Sequence, residues 1–271
     1  MSPDDFLRTC TLPKPEARML LQAATGMSRV QLVTQGKEPL DGGCRENLIR
    51  LAARRLNGEP MAYILGEREF YGRSFYVNPA TLIPRPETEH LVDAALGFLP
   101  PNGRVWDLGT GSGAIAVTLA CERPDANIAA SDVSTAALDV ARRNADRHGA
   151  VVAFACGSWL DAGLPQKVRG FDLIVSNPPY IKAGDPHLQQ GDLRFEPQQA
   201  LTDFSDGLSC IRLLASGAAG CLKDGGRLLL EHGFDQGESV RRILADTGWT
   251  DIETRCDLAG HERVTIGRKA V

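Results

Sequence analysis

A chain of 271 residues, 43% hydrophobic and 24% charged, can bury a substantial core without a disulfide or metal staple and has room for two unequal domains. The formal net charge of −4 argues against a protein that grips duplex nucleic acid through a basic face. Residues 1–80 carry a slight excess of base and the remainder an excess of acid, so the N-terminal part is the better place for an anionic partner.

Residues 1–60 read as short helices. Pro15 and Glu16 open one that Gly26 can end, and Asp41 precedes a second with Leu48, Leu51, Ala52 and Leu56 at helical spacing, stopped by Gly58 and Pro60. Phe70 to Val77, aromatic and β-branched about Gly72, reads as a hairpin, and Pro79, Pro84 and Pro86 stiffen the connector after it. A helix follows from Pro86 to Leu99.

From Arg104 strands and helices alternate. Strands are expected at 105–108, 127–131, 151–155, 171–176 and 227–231, with helices at 114–122, 134–148, 207–222 and 239–247. Two closing strands lie around 252–254 and 263–266 with no helix between them, so they pair antiparallel and the terminal strand runs against the sheet. The expected fold is α/β: a seven-stranded Rossmann-like sheet with the last strand antiparallel, preceded by a small helical domain and a linking hairpin. The expected division is residues 1–66, a helical domain; 67–85, hairpin and connector; and 86–271, the α/β domain.

The seven cysteines form no C-x-x-C pair and no histidine cluster lies near them, which suits free thiols in a reducing cytosol; no metal site is expected. The acidic start Met1-Ser2-Pro3-Asp4-Asp5 is no signal peptide, and no apolar run reaches the length of a membrane span, so a cytoplasmic protein without a membrane partner is expected.

Asp107-Leu108-Gly109-Thr110-Gly111-Ser112-Gly113 follows the first strand of the sheet and opens a helix. Its alternate glycines let the backbone approach a ligand, and the helix N-terminus offers unpaired N–H groups. Asp132 ends the second strand, where a carboxylate can accept ribose hydroxyls. The loop alone fits a methyl donor, a dinucleotide or a tight turn. Asp107 favours the methyl donor, because an anion there can receive the ammonium of a methionine moiety and gives a pyrophosphate nothing.

Ser176-Asn177-Pro178-Pro179-Tyr180 follows the fourth strand, at the ligand-binding edge. Its prolines fix backbone angles and remove N–H donors, so a rigid turn presents the carbonyls of Asn177 and Pro178 without competing donors. Two acceptors match the two hydrogens of a planar –NH₂. Holding both aims the nitrogen lone pair at a sulfonium methyl and stabilises the positive charge that develops. Tyr180 supplies a flat face for the amide plane. The chemistry expected is methyl transfer to a planar amide or amino nitrogen.

These segments resemble the PrmC/HemK family, which methylates the glutamine side-chain nitrogen in the Gly-Gly-Gln tripeptide of peptide chain release factors. The resemblance runs from about Gly58 onward. It rests on Gly58-Glu59-Pro60, Leu82 to Glu89, the glycine loop, the Asn-Pro-Pro-Tyr turn with Ile181, Pro186 to Leu188, Arg194 to Pro197, Leu230 to Gly233 and Glu262 to Val264. It implies that Asp107, Gly109, Thr110, Gly111, Ser112, Gly113 and Asp132 hold S-adenosyl-L-methionine, with Trp159 over its adenine and Asn177 touching both donor and substrate. Pro178, Pro179 and Tyr180 would complete the glutamine pocket, and Asn177, Pro178 and Tyr180 would carry the chemistry. Arg85 would line the approach; a salt bridge to Glu87 or Glu89 is the other reading of that residue. The helical domain would help dock the release factor, and a monomer with no direct nucleic-acid contact is expected.

Other functions remain open at this stage. An adenine-N6 nucleic-acid methyltransferase presents the same –NH₂ but flips a base and usually carries a basic groove, which this chain lacks. A non-catalytic cofactor-binding subunit would have no use for the Asn-Pro-Pro-Tyr acceptors. A dehydrogenase fits least, because that turn offers no acid–base pair.

Overall fold

The computed structural model describes residues 1–162 and 170–270. Two compact units divide the chain, Met1–Gly66 and Glu67–Val271.

The first unit consists of helices α1 (Pro3–Thr9), α2 (Lys14–Thr25), α3 (Arg29–Thr34), α4 (Gly42–Leu56) and α5 (Met61–Leu65). Apolar periodicity marks α2 and α4, whereas α1 and α3 are too short to show it. Each of those two starts instead with a capping box: the hydroxyls of Ser2 and Ser28 accept from the N–H groups of Asp5 and Gln31, whose side chains reach back to the cap. Phe6, Leu20, Leu21, Leu32, Leu48, Leu51 and Ile64 form the core. A bidentate pair from Arg55 to Glu16, at 2.8 and 3.0 Å, ties α4 to α2.

In the second unit the hairpin comes first, β1 (Glu67–Phe70) and β2 (Arg73–Tyr76). A 3₁₀ turn at Pro86–Thr88 leads into α6 (Glu89–Phe98). Then come β3 (Arg104–Leu108), α7 (Ala114–Glu122), β4 (Asn127–Asp132), α8 (Thr135–His148), β5 (Val152–Cys156) and β6 (Phe171–Ser176). The chain closes with α9 (Ser209–Gly217), β7 (Leu222–Glu231), α10 (Gly237–Asp246), β8 (Trp249–Cys256) and β9 (Glu262–Lys269). The seven-stranded sheet has the order β5-β4-β3-β6-β7-β9-β8, and β9 runs antiparallel to both of its neighbours, as expected from the sequence.

Successive side chains of a strand face opposite sides of the sheet, and here both sides are covered. Val105, Leu173, Val175 and Leu229 pack in one layer with Leu91, Val92 and Leu119 of α6 and α7. Trp106, Leu108, Ile174, Leu228 and Leu230 pack in the other with Ile211, Leu214, Val240 and Leu244 of α9 and α10. The hairpin is anchored in the first of these layers through Phe70 and Phe75, whose rings meet edge to face at 5.9 Å. The chain leaves β3 toward β4 on one side and returns to β6 on the other, so a crevice opens at the carboxyl ends of β3 and β6.

Two elements differ most from the sequence expectation. Strand β7 starts at Leu222 rather than Arg227, because Lys223-Asp224-Gly225-Gly226, which reads as a turn, is absorbed in an irregular register between Phe171 and Leu173 of β6. Helix α9 spans only Ser209–Gly217 and passes into a 3₁₀ turn at Ala218–Gly220. Before it runs a long connection with 3₁₀ turns at Pro186–Gln189, Gly191–Phe195 and Gln198–Ala200, pieces too short for apolar periodicity to reveal.

Candidate active site

The glycine loop between β3 and α7 is pinned by backbone groups. The N–H groups of Gly109 and Thr110 both donate to the Ser131 carbonyl, at 2.9 and 3.0 Å, and that of Gly113 donates to Thr110 at 2.8 Å. Gly109 and Gly111 take left-handed φ values of +74° and +54°. A Cβ on Gly111 would stand in open space along the cavity wall, and one on Gly109 would come within 3.5 Å of the Trp159 ring. The loop is thus a cradle whose emptiness on the ligand side requires glycine.

Behind the loop lies Asn144, fully buried on α8. Its Nδ2 donates to the carbonyls of Ser112 (2.8 Å) and Tyr76 (2.9 Å), and its Oδ1 accepts from the Tyr76 N–H (2.7 Å). Sequence reasoning missed this residue. The available signal was a polar side chain in line with the apolar positions Ala137, Leu138 and Ala141 of an amphipathic helix.

Asp132 ends β4 with its carboxylate turned to the loop, Oδ2 accepting from the Gly111 N–H and Oδ1 from the Ser134 N–H, each at 2.9 Å. Each oxygen keeps a second lone pair for a ligand hydroxyl. Asp107 is fully buried. Its Oδ2 accepts from the Thr110 hydroxyl at 2.6 Å, while Oδ1 has no partner among the described residues. Burial pushes its carboxyl up to about 7, against the Thr110 hydroxyl and the nearby Ala116 N–H, which favour the anion. A buried acid with an orphaned oxygen beside an open glycine cradle fits a donor that carries an ammonium group and a ribose. Trp159 follows β5 with φ +45°, a strained value for a bulky residue, and lays its ring against Gly109.

On the opposite wall, Asn177 to Tyr180 leave β6 after Ser176, whose hydroxyl is buried and donates to the Leu108 carbonyl at 2.7 Å, locking the two strand ends together. The Asn177 Nδ2 donates to the Thr88 hydroxyl at 3.1 Å. Among the described residues no group donates to the carbonyls of Asn177 and Pro178. The Tyr180 carbonyl accepts from Gln236 Nε2 at 3.0 Å. Its phenol is pushed above the ordinary tyrosine range by burial first and by the nearby Glu231 second.

One cavity of about 270 Å³ joins the two walls. Of the residues singled out in the sequence, Gly109, Gly111, Asp132, Trp159, Asn177 and Pro179 line it. Asp107, Thr110, Ser112, Gly113, Pro178 and Tyr180 are not in its lining, and all but Tyr180 are buried. Arg85 is not in it either: its guanidinium pairs with Glu196 at 2.5 Å, not with Glu87 or Glu89. Glu196 has no exposed side-chain surface and also accepts the Ile83 N–H at 2.9 Å. Burial raises its carboxyl and Arg85 opposes that rise. Leu82, from the Leu82–Glu89 segment, also lines the cavity, which adds residues that no motif announced, among them Thr202, Asp203 and Phe204. The Asp203 carboxylate accepts from the N–H groups of Ser205, Gly207 and Ser209 at 2.9 Å each and from the Ser209 hydroxyl at 2.6 Å. Burial raises the Asp203 carboxyl, but these hydrogen bonds outweigh it and hold it below its ordinary value. That turn presents Phe204, 67% exposed, at the cavity rim.

Comparison with known proteins bears on this arrangement. Residues 5–66 match the PrmC N-terminal domain, and residues 89–192 match the methyltransferase small domain. A release factor glutamine methyltransferase of Neisseria gonorrhoeae is 64% identical over 268 residues, 99% of this chain and 98% of that protein. Its namesake in Burkholderia pseudomallei is 50% identical, over 97% of this chain and 95% of that protein. The crystal structure of a methyltransferase from Pyrococcus furiosus superposes with a TM-score of 0.57 at 18% identity, over 81% of this chain and 98% of that one, which speaks to the fold alone.

Proposed function

The chain belongs to the release factor glutamine methyltransferase family, and on that premise we propose that its glycine-loop wall holds the methyl donor while its Asn-Pro-Pro-Tyr wall holds the substrate glutamine. The enzyme methylates the side-chain amide nitrogen (N5) of the glutamine in the Gly-Gly-Gln motif of peptide chain release factors, using S-adenosyl-L-methionine. When bound, S-adenosyl-L-methionine supplies an electrophilic sulfonium methyl.

The residues of the chain do the positioning. Asp107 receives an ammonium with its unpaired Oδ1, and the backbone of Gly109, Thr110, Gly111, Ser112 and Gly113 forms the cradle. Asp132 takes the ribose hydroxyls on its remaining lone pairs, and Trp159 covers the adenine. The carbonyls of Asn177 and Pro178 accept the two amide hydrogens of the glutamine. An amide nitrogen is a poor nucleophile because its lone pair is delocalised. Gripping both hydrogens favours pyramidalisation and stabilises the charge that forms, while alignment supplies much of the remaining acceleration. Pro179 and Tyr180 close the pocket around the amide plane, and Arg85, through Glu196, shapes the approach to it. The methylated nitrogen is acidic enough to lose its proton to water, so no strong base is required.

The helical unit, residues 1–66, docks the release factor, the hairpin and connector 67–85 link it, and residues 86–271 carry out the transfer. Among the described residues no helix is long and apolar enough to cross a membrane. The enzyme acts as a cytoplasmic monomer with no direct nucleic-acid partner.

The supporting observation is a single cavity lined by Gly109, Gly111 and Asp132 on one side and by Asn177 and Pro179 on the other. Transfer of labelled methyl to a purified release factor tests the reading. Label is expected on the wild-type factor and none when its Gly-Gly-Gln glutamine is replaced; equal labelling of both would contradict it.

A further inference from the structure

Among the segments that carry the family resemblance are Leu82 to Glu89 and Leu230 to Gly233, whose Thr88 and Glu231 have no role so far. The fold brings one residue from each behind Asn177. Thr88, 4% exposed, closes the 3₁₀ turn before α6, and its hydroxyl oxygen accepts from Asn177 Nδ2 at 3.1 Å. Glu231, 1% exposed, ends β7 with its carboxyl beside the Thr88 side chain, which favours its anionic form, and its Oε2 has no partner among the described residues.

The polarity of this chain matters. The two ends of an asparagine amide are nearly identical in shape, so packing cannot choose between them; only hydrogen-bond partners can. A threonine hydroxyl has a single hydrogen and can serve either end. It donates to Oδ1 if its hydrogen is free, and accepts from Nδ2 if that hydrogen is committed elsewhere. A carboxylate accepts and does not donate, and the Thr88 hydroxyl favours that form of Glu231 against the burial that pushes its carboxyl up to about 7. Placed behind the hydroxyl, it takes the hydrogen and leaves only the oxygen to face Asn177.

We propose that Thr88 and Glu231 are positioning residues that fix the amide orientation of Asn177, turning its Oδ1 toward the reacting nitrogen of the substrate. Asn177 lines the cavity, and anchoring Nδ2 on Thr88 turns the opposite end away from the anchor. The corner then shows the substrate –NH₂ only acceptors: the backbone carbonyls take its two hydrogens, and Oδ1 places negative potential beside the positive charge that develops on the nitrogen. The flipped amide would set an NH₂ donor against an –NH₂ donor and push the glutamine nitrogen off line. This relay accounts for segments 82–89 and 230–233 by their convergence on one side chain, which neither segment reveals alone.

The inference rests on the reading of Asn177 as a holder of the glutamine nitrogen. Its test uses the full-length enzyme, an intact release factor and labelled donor, with S-adenosylhomocysteine binding as a measure of the donor wall. Thr88→Val keeps the shape and removes the hydroxyl. It is expected to lower kcat about 10–100-fold while S-adenosylhomocysteine binding stays within about twofold. Thr88→Ser restores the hydroxyl and is expected to recover kcat to within about threefold of wild type. Glu231→Gln introduces a competing donor and also lowers kcat. Combined with Thr88→Val it adds nothing further, because both act through the same hydroxyl. A Thr88→Val enzyme with unchanged kcat would overturn the proposal. So would failure of Thr88→Ser to restore activity, multiplied effects in the double variant, or a parallel loss of S-adenosylhomocysteine binding. Wild-type transfer to a site other than the glutamine would instead overturn the reading on which the relay rests, whatever the Thr88 variants do.

Discussion

On the glycine-loop side of the cavity, the structure is held by groups close together along the chain and largely of the backbone. Gly109 and Thr110 share the Ser131 carbonyl, and Gly111 meets Asp132 at the end of the next strand. On the Asn-Pro-Pro-Tyr side the supports come from far away and are side chains. Thr88 is separated from Asn177 by 89 positions, Gln236 from Tyr180 by 56, and Glu196 from Arg85 by 111. Apart from Asn144, which bridges Ser112 to Tyr76, the donor wall is therefore a local motif of a parallel sheet, whereas the acceptor wall is assembled from four distant segments. On the assignment of the walls proposed above, generic binding of the donor and specific holding of the glutamine are separable, and substitutions should separate them.

The largest effect is expected on the acceptor wall. Asn177→Ala should lower kcat by about 10²–10³-fold with S-adenosylhomocysteine affinity and melting temperature close to wild type. Retention of most activity would remove the contrast between the walls. Next comes Asp107 on the donor wall. A carboxyl whose pKa is higher folded than unfolded binds its proton more tightly in the folded protein. Its contribution is then full below the unfolded value of 3.8 and is lost as pH rises through about 7. Asp107→Asn has no such titration, so its stability relative to wild type should rise between about pH 5 and pH 8, by on the order of 2–3 kcal/mol in paired urea titrations. A constant difference across that range would show that Asp107 titrates normally. The smallest effect belongs to Asp132→Ala, which should weaken S-adenosylhomocysteine binding by about tenfold in calorimetry and leave single-turnover kcat at saturating donor within about threefold of wild type. An unchanged Kd would refute the ribose assignment.

The two walls were also unequally legible in the sequence. The α/β alternation and the antiparallel end of the sheet follow from apolar runs and from the absence of a helix between the closing strands, and the fold has both. Gly109, Gly111 and Asp132 stand together at the cavity, because a strand–loop–helix motif fixes its own geometry. Asn177 and Pro179 were visible for the same reason, two prolines dictating a corner. Arg85 was not: its acidic partner is not among the neighbours Glu87 and Glu89 but in a distant 3₁₀-rich connection that has no periodic signature. Thr202, Asp203 and Phe204 were hidden by the same connection. Asn144 and Thr88 were hidden because a buried polar group is defined by its partners, and partners are set by tertiary structure.

The most direct test of the central claim is a crystal structure of the enzyme with S-adenosylhomocysteine and a peptide containing Gly-Gly-Gln. The glutamine amide nitrogen should lie within about 3 Å of the carbonyl oxygens of Asn177 and Pro178, with its face toward the thioether sulfur. A glutamine seated elsewhere in the cavity, with those two carbonyls unpaired or turned from the sulfur, would contradict the account.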